Sequence, residues 1–436
     1  MKQILAVNLS KIVTSLIKFL KLGSASSLPG RIALFINPKT LQEFADQLND
    51  LAKYAFFITG TNGKTTSTGL LKQILLAKES GRRIICNDFG ANLYYGITTE
   101  FIHSSDSCAK LISNNYVLEV DEASLPKLGL ELYPKTLAIT NLFRDQLDRF
   151  GEIDSTQKLL VTGIKNIIKY SSSLNLILNA DDPKVASIKD LLIDSSDFPK
   201  LKIFYYTIKF IDAKNAYSIQ DFDSNQQKTL KIIPDLIVNI QQEKIDSSII
   251  NYEYQNFIST QIELKLPGLY NVYNAGTAIA CALVSGIGFD EIKSGIENYN
   301  TAFGRSEIKT FNNRKYQSFL IKNPTGCSEV LRHLSKNQSA NFLIAINDNY
   351  ADGRDVSWLW DANFEYLTNI QDSTFVCSGK RAHDMALRLK YAGISEKKIF
   401  TLENLKEALF YCLNLDPQKN VYVLPTYTAL LELNRI

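Results

Sequence analysis

Residues 54–66 of the chain are Tyr-Ala-Phe-Phe-Ile-Thr-Gly-Thr-Asn-Gly-Lys-Thr-Thr, an apolar run that leads directly into a turn with two glycines. Gly60 and Gly63 allow the backbone to turn tightly, so that successive N–H groups can point at phosphate oxygens. Lys64 supplies a mobile positive charge for terminal phosphates, and the Thr65 hydroxyl is suited to bind Mg²⁺. The stretch therefore predicts a strand, a phosphate-binding loop and a helix, with ATP and Mg²⁺ as cofactors.

The spacing differs from the general motif G-x-x-x-x-G-K-[ST], because Ile58 occupies the position of the first glycine. A strand-to-helix turn with a chance lysine is the alternative interpretation. Apolar residues at Leu70, Leu71, Ile74 and Leu75 continue as an amphipathic helix, and this favours the phosphate loop. The candidate nucleotide-binding residues are Thr59, Gly60, Thr61, Asn62, Gly63, Lys64, Thr65 and Thr66.

The composition is that of an ordinary globular protein: 436 residues, of which 45% are hydrophobic and 21% charged. The net charge of +3 is too small to indicate a nucleic-acid-binding protein. The six cysteines are scattered without a C-x-x-C pair, and the three histidines are equally dispersed. This distribution predicts reduced thiols, a cytoplasmic location and no zinc site.

The order of sequence patterns predicts an α/β fold. Apolar runs at 54–58, 83–86, 115–120, 136–140 and 174–178 alternate with helical patterns, which is typical of a doubly wound parallel sheet. A second αβ series follows residue 305 and predicts a Rossmann-like domain. We expect an N-terminal helix and linker over 1–30, a central ATP-binding domain over 31–304 with an antiparallel insertion at 201–262, and a C-terminal domain over 305–436.

The N-terminal segment carries apolar residues at helical spacing with lysines between them. The interpretation we favour is a helix packed on the first domain, because most amphipathic helices face a core. The alternative is a basic amphipathic helix on anionic lipid, a possible peripheral contact with the inner face of the membrane. The apolar residues are Leu5, Leu9, Ile12, Val13, Leu16 and Leu20.

Polar residues follow other predicted strands, at the edge of a parallel sheet where ligands bind. Glu119 is the first candidate for a Mg²⁺ ligand and Glu122 the second, and a solvated acidic turn is the alternative for Glu122. Asn179 ends the strand at 174–178 and could contact a nucleoside.

Two further positions could contact a nucleotide. Asn271 and Asn274 lie three residues apart in the first turn of a predicted helix, and their amides suit an adenine edge. Arg305 stands at the predicted junction between the domains, where it could reach a nucleotide that lies between them.

In chain order, these motifs resemble the Mur ligase family. The resemblance rests on residues 60–66, on the Gly-x-Tyr-Asn-x-x-Asn run at 268–274 and on Phe-Gly-Arg at 303–305. It implies that ATP activates a carboxylate as an acyl phosphate, which an amine then attacks. Lys64 and Mg²⁺ would offset the charge that accumulates during this step.

Two positions depart from the members of that family that add amino acids. Gln146 stands where those ligases usually carry histidine, and residues 159–162 (Leu-Leu-Val-Thr) lack their carbamylated lysine. Residues 141–149 instead resemble a branch that amidates lipid II together with a class I glutaminase subunit of the GatD type. That resemblance implies a heterodimer and the conversion of the D-glutamate α-carboxyl of the lipid II stem peptide to D-isoglutamine.

Segments 322–326, 346–361 and 424–430 resemble the same branch. The resemblance implies that Asp355 completes the Cys-His pair of the glutaminase by orienting its histidine. A surface turn anchored by tryptophans is the alternative for that block. Some relatives carry a four-cysteine zinc ribbon in the central domain, but residues 201–262 contain no cysteine, so we expect no zinc.

The chain is not expected to hydrolyse glutamine alone. Cys327 and Cys377 lie next to glycines or serines, but neither has a histidine in sequence that suits a catalytic pair, so we interpret both as core or loop cysteines. Two other functions stay open: a Mur-type amino-acid ligase of the peptide or folate type, and a nucleotide-binding regulatory subunit without chemistry of its own.

Overall fold

The computed structural model describes residues 1–20, 25–48, 51–79, 81, 83–87, 91–143, 153–211, 232–244, 246–299 and 305–436. Within these ranges lie two β-sheets, and helices cover both faces of each. The predicted α/β class is confirmed. Among the described residues, no helix has the length and hydropathy needed to cross a bilayer.

The first sheet has ten strands in the described part of the chain. They are β1 (Ala55–Thr59), β2 (Ile85–Cys86), β3 (Tyr116–Glu119), β4 (Thr136–Ile139), β5 (Leu174–Asn179), β6 (Leu201–Phe210), β7 (Leu236–Glu243), β8 (Ser248–Tyr254), β9 (Phe257–Ile258) and β10 (Ile262–Leu264). Their spatial order is β10-β8-β7-β6-β5-β4-β1-β3-β2, with β9 beside β8. The pairs among β1 to β7 are parallel, and β8 pairs antiparallel with β7, β9 and β10.

The helices around this sheet are α1 (Lys2–Phe19), α2 (Leu28–Ile36), α3 (Thr40–Leu48), α4 (Lys64–Lys78), α5 (Tyr94–His103), α6 (Leu125–Leu128), α7 (Ile153–Tyr170), α8 (Pro183–Ala186), α9 (Leu269–Val284) and α10 (Phe289–Glu297). Alternate residues of β1 enter two different cores, because side chains of a strand point to opposite faces. Phe56 and Ile58 pack with α4, α9 and α10, whereas Ala55 and Phe57 pack with α3, α5 and α7. The strand before the phosphate loop is therefore buried on both sides.

The second sheet contains β11 (Arg305–Phe311), β12 (Arg314–Phe319), β13 (Ser339–Ala345), β14 (Asp372–Ser378), β15 (Ile399–Thr401) and β16 (Asn420–Pro425). Their order is β11-β12-β16-β13-β14-β15, parallel except for the β11–β12 hairpin. Its helices are α11 (Pro324–Leu334), α12 (Trp358–Asp361), α13 (Ala382–Tyr391), α14 (Leu405–Leu415) and α15 (Tyr427–Leu433). Short 3₁₀ helices occur at Ser187–Lys189, Phe198–Lys200, Phe364–Asn369 and Glu396–Lys398.

The predicted antiparallel insertion at 201–262 is wrong in part. Strands β6 and β7 continue the parallel sheet, and only the strands from β8 onward run antiparallel to their neighbours. The alternating pattern of residues 230–233 also predicts a strand, but its described part, residues 232 and 233, is not in one. Residues 230 and 231 lie outside the described residues, and the strand β7 begins after Pro234, since proline cannot donate to a ladder.

Of the expectations for the N-terminal segment, one is wrong and one is confirmed. The predicted linker ends in the first turn of α2, where Pro29 is tolerated because the first N–H groups of a helix have no partner inside it. Helix α1 packs on the first domain, as predicted, and it does so through its small and polar side, while its large apolar side chains are exposed. The domain boundary predicted at 305 stays a prediction, since residues 300–304 lie outside the described residues.

Candidate functional site

The loop after β1 has two glycines whose conformations exclude a side chain. Gly60 and Gly63 have φ angles of +120° and +84°. A Cβ atom at Gly60 would lie 2.4 Å from the Thr140 hydroxyl oxygen, and one at Gly63 would lie 1.9 Å from Oδ1 of Asn274. Both positions therefore require glycine, for backbone conformation and for space. The loop lies directly against the start of α9.

The end of β4 holds the loop in place. The backbone N–H of Thr61 donates to the Asn141 carbonyl at 2.9 Å, and the N–H of Asn62 donates to the Asn141 side-chain oxygen at 2.8 Å. The Thr140 hydroxyl donates to the Asn62 carbonyl at 2.7 Å. Asn141 is absent from the predicted site. Its position just after a strand of the parallel sheet, where ligands usually bind, could have identified it.

Lys64 begins α4 and is buried beside the loop. Its Nζ atom donates to the Thr61 carbonyl at 3.2 Å and also contacts the Gly60 carbonyl. The same atom lies 3.4 Å from both carboxylate oxygens of Glu122. Burial raises the pKa of Glu122, and the nearby ammonium group acts in the opposite direction. The charge of Lys64 is thus kept at the mouth of the loop.

Thr65 and Glu119, two of the predicted Mg²⁺ ligands, are brought together. The Thr65 hydroxyl donates to Oε2 of Glu119 at 2.6 Å, and the Asn92 amide donates to Oε1 at 2.8 Å. Mg²⁺ is usually held by one or two protein oxygens together with substrate phosphates, and this pair of oxygens beside a phosphate loop fits that pattern. Glu122 is turned towards Lys64 instead, so the geometry favours Glu119 as the ligand.

Two cavities meet at the phosphate loop, and both extend to the C-terminal domain. The first, here called the cleft cavity, has a volume of about 100 Å³ and is lined by Asn62, Gly63, Thr66, Asn141, Phe143, Tyr270, Tyr273, Asn274, Phe319, Leu320, Lys322, Asn323, Thr325, Gly326, Glu329 and Val330. The second, here called the phosphate cavity, has a volume of about 240 Å³ and is lined by Thr61, Asn62, Gly63, Lys64, Asn92, Glu119, Asp121, Glu122, Phe143, Thr156, Leu320, Lys322, Ala351, Asp352, Thr426 and Tyr427.

Of the three asparagines predicted to contact a nucleotide, only one lines a cavity. Asn274 lines the cleft cavity. Asn271 lies behind it, where its amide donates to the Pro267 carbonyl at 2.8 Å and its oxygen accepts from Asn274 at 3.1 Å. Asn179 is fully buried and donates to the Thr140 carbonyl at 3.1 Å. Asn271 and Asn179 line neither cavity, and their predicted contacts with a nucleotide stay predictions.

Two predicted positions cannot be placed. The side chain of Arg305, at the start of β11, lies outside what the structure describes, and so does the whole of Gln146. Their assigned roles stay predictions.

The C-terminal domain contributes residues that the predicted site lacked. Lys322 lines both cavities. Asn323 caps α11 and exchanges side-chain hydrogen bonds with Asn62 of the phosphate loop, at 2.9 and 3.4 Å. Both residues follow β12, so the signal for them was again a position at the carboxyl end of a strand. The two domains thus touch at the loop itself.

The block at 346–361 runs from the phosphate cavity to the surface. Asp352 lines the cavity and accepts from the Thr428 backbone N–H at 2.7 Å. Asp355 is exposed and accepts from the Ser357 backbone N–H at 2.8 Å, a contact that lowers the pKa of its carboxyl group. An exposed, ionised carboxylate at this place can be reached by another protein.

The cysteines Cys327 and Cys377 are fully buried, as expected for core residues. Burial raises the pKa of both thiols, that of Cys377 to about 12. A buried thiol in its neutral form is a poor nucleophile. These two residues are therefore unsuited to glutamine hydrolysis.

Comparisons with known proteins agree with this geometry. The family model "Mur ligase middle domain" matches residues 58–282, and the model "MurT ligase C-terminal" matches residues 320–430. The chain is 32% identical to "Lipid II isoglutaminyl synthase (glutamine-hydrolyzing) subunit MurT" of Streptococcus pneumoniae R6, over 95% of this chain and 93% of that protein. It is 31% identical to the protein of the same name from Staphylococcus aureus N315, over 99% and 96%.

Solved structures show the same fold. A crystal structure of MurF from Acinetobacter baumannii superposes with a TM-score of 0.67 at 18% identity, covering 93% of this chain and 81% of that one. The MurF ligase of Thermotoga maritima in complex with ADP gives a TM-score of 0.61 at 14% identity, covering 90% and 81%. At these identities the likeness concerns the fold alone.

Proposed function

Because this chain belongs to the Mur ligase family, with MurT proteins among its relatives, we propose that it is the synthetase subunit of a lipid II isoglutaminyl synthase. It amidates the α-carboxyl of D-glutamate in the lipid II stem peptide and uses ATP to do so. The nitrogen comes from glutamine through a glutaminase subunit of the GatD type. The product is D-isoglutamine.

The reaction needs activation because a carboxylate is a poor electrophile. A carboxylate oxygen attacks the terminal phosphorus of ATP, ADP leaves, and an acyl phosphate forms. The lone pair of ammonia then attacks the carbonyl carbon, and phosphate leaves with one of the original carboxylate oxygens. Ammonium has no lone pair for this attack, which is why a partner that releases ammonia close to the site is useful.

The residues at the phosphate loop suit the first step. Lys64 would hold the terminal phosphates as negative charge moves onto the leaving ADP. Thr65 and Glu119 would hold Mg²⁺, which supplies further positive charge to the phosphates when it is bound. The observation that carries the proposal is that Lys64, Thr65 and Glu119 line or border one cavity that also reaches the C-terminal domain.

Asp355 supports the partner part of the proposal. Its carboxylate is exposed, ionised and joined by a short block to the phosphate cavity. In a catalytic triad the acid orients the histidine and stabilises its charged form. We infer that Asp355 does this for the histidine of the glutaminase subunit, so that glutamine is hydrolysed only in the heterodimer.

An assay with the purified chain tests this function directly. The chain is incubated with ATP, Mg²⁺, lipid II and ammonium chloride at mildly alkaline pH, without a partner, and the product is identified by mass. We expect amidated lipid II and ADP, and no reaction when glutamine replaces ammonium. A product with an added amino acid would indicate a peptide ligase, and the absence of any product would contradict the proposal.

The glycine at the phosphate loop gives a prediction with a matched control. Gly63→Ala combines a strained backbone with the contact against Asn274, and we expect ATP to bind at least ~tenfold more weakly. Gly81 has nearly the same φ, +83°, but no atom within 4 Å of a Cβ. Gly81→Ala should therefore cost about 1 kcal/mol of stability and leave ATP binding intact. Calorimetric titration with ATP checks both, and equal binding by the two variants would contradict the assignment.

Lys322 gives a prediction about the part that the C-terminal domain plays in the reaction. Lys322→Gln removes a cation that lines both cavities, and we expect kcat/KM for ammonia-driven amidation to fall roughly 10²-fold. Lys315→Gln, at an exposed position on β12, is the control and should have no effect. If the two variants had the same activity, Lys322 would have no part in the reaction.

A further inference from the structure

Helix α1 exposes its large apolar side chains. Ile12 is 55% exposed, Leu16 52% and Phe19 83%, and Ile4, Leu5 and Leu9 are exposed as well. Large apolar side chains at helical spacing form a continuous strip. Monomeric proteins seldom leave such a strip uncovered unless it binds something.

The strip cannot turn inwards, because the opposite side of α1 is anchored. Ala6 and Val7 are fully buried, and their small size lets the helix approach its neighbours closely. The Gln3 amide donates to the Thr40 carbonyl at 3.1 Å, and the Ser10 hydroxyl donates to the Pro29 carbonyl at 2.9 Å. The Thr14 hydroxyl lies 3.2 Å from Nε2 of His103. Rotation of the helix would break these buried hydrogen bonds.

The segment that contains the strip carries only positive charges of its own, and the acidic residues Asp106 and Glu43 lie beside its buried side. Residues 1–42 contain no Asp or Glu but six basic residues, Lys2, Lys11, Lys18, Lys21, Arg31 and Lys39. The whole chain has a net charge of +3, so the remaining residues have a net charge of −3. The basic excess of the protein is therefore confined to the segment that contains the apolar strip.

An apolar strip within a basic segment matches an anionic bilayer surface. Apolar side chains enter the boundary between headgroups and acyl chains, and Lys and Arg attract anionic lipids. Helix α2, packed beside α1, also exposes an apolar residue, Phe35, at 89%. A protein partner would explain the apolar side chains but gives no reason for a segment without a single acid.

We propose that the exposed strip of α1 lies on the surface of an anionic lipid bilayer, with Ile12, Leu16 and Phe19 in the interface and Lys2, Lys18 and Arg31 near lipid phosphates. This goes beyond the amidation reaction and does not depend on it. If the substrate is lipid-linked, as proposed above, the contact holds the enzyme at the surface where the substrate is.

Co-sedimentation of the full chain with vesicles tests the proposal. The vesicles contain either phosphatidylcholine alone or equal parts of phosphatidylcholine and phosphatidylglycerol. We expect binding to the mixed vesicles, little binding to phosphatidylcholine, and weaker binding at high salt because salt screens the charges. If the chain bound neither kind of vesicle, the proposal would be wrong. If variants of the strip then failed to bind the glutaminase, the strip would be a protein interface instead.

Matched variants separate the strip from general effects. Ile12→Ser/Leu16→Ser/Phe19→Ser should lower partition into mixed vesicles at least ~tenfold. The control Leu191→Ser/Ile193→Ser/Ile258→Ser removes equally exposed apolar residues elsewhere and should bind normally. Equal binding by the two triple variants would overturn the proposal. Thermal unfolding shows whether each variant is folded.

The charge is tested in the same way. Lys2→Gln/Lys18→Gln/Arg31→Gln should lower partition into mixed vesicles at least ~tenfold. Its control, Lys315→Gln/Lys397→Gln/Lys406→Gln, has the same net charge and should bind normally. Amidation of a soluble stem-peptide substrate should be unchanged in all four variants, so a failure to bind lipid is distinguishable from a failure of the chemistry.

Discussion

Lys64→Ala is expected to lower kcat/KM for amidation at least ~10³-fold, about 4 kcal/mol of transition-state stabilisation, with glutamine and with ammonia alike. The reason is that Lys64 lies at the mouth of the phosphate loop, inside the phosphate cavity, where its charge can follow the phosphates through the transfer. Both nitrogen sources depend on the acyl phosphate, so both reactions should be lost together. Release of phosphate and formation of the amide are measured in the same samples.

The control for this variant is Lys78→Ala, at the other end of the same helix. Lys78 is partly exposed and pairs with Glu291 at 2.7 Å, far along α4 from the loop. A surface ion pair contributes little, so activity should be close to that of the unchanged protein. If Lys64→Ala kept its amidation activity, the chain would be better explained as a nucleotide-binding subunit that catalyses no reaction itself.

Asp355→Asn is expected to separate the two nitrogen sources. Glutamine-driven amidation should fall at least ~10³-fold, because an amide cannot stabilise the charged histidine of a triad. Ammonia-driven amidation should be nearly unchanged, since Asp355 lies on the surface and lines neither cavity. The assay uses the heterodimer with each nitrogen source in turn.

The control for Asp355 is Asp361→Asn, an exposed carboxylate in the same block. It should leave both reactions intact. The hydrogen bond from the Ser357 N–H lowers the pKa of Asp355, so its carboxyl group becomes protonated only at a lower pH than an ordinary aspartate. Protonation of Asp355 should therefore cause no loss of glutamine-driven activity near neutral pH. Equal losses with both nitrogen sources would show that Asp355 acts in folding or in the synthetase reaction instead.

The phosphate loop could be predicted from the sequence because its requirements are local. Gly60 and Gly63 are needed for their own backbone angles, and Lys64 and Thr65 follow at fixed spacing. The support of the loop could not be predicted in the same way. Asn141 and Asn323 reach it from other strands, and only the fold brings such distant residues together.

Helix α1 shows a different limit of sequence patterns. The apolar spacing predicts a helix correctly, but it does not say which side faces the protein. The buried side is made of small and polar residues whose hydrogen bonds go to α2, α3 and α5, and the sequence of the helix does not show these partners. A hydrophobic strip in a sequence indicates that some surface is covered, but it does not identify the partner that covers it.

The strands at 201–262 illustrate a third limit. Alternating apolar residues in β6 predict a strand, but the same alternation suits parallel and antiparallel neighbours. The direction depends on the connection between the strands. Lys322 was missed for a related reason, since its role follows from how the C-terminal domain meets the loop.

Transfer of an oxygen label tests the central claim, that the chain phosphorylates the carboxylate of its substrate. The stem-peptide D-glutamate is labelled with ¹⁸O in its α-carboxyl, and the reaction runs with ATP, Mg²⁺ and ammonia. The account predicts that the phosphate released carries an oxygen from the carboxylate, at a rate equal to amide formation. Unlabelled phosphate beside a formed amide, or label in AMP, would contradict it.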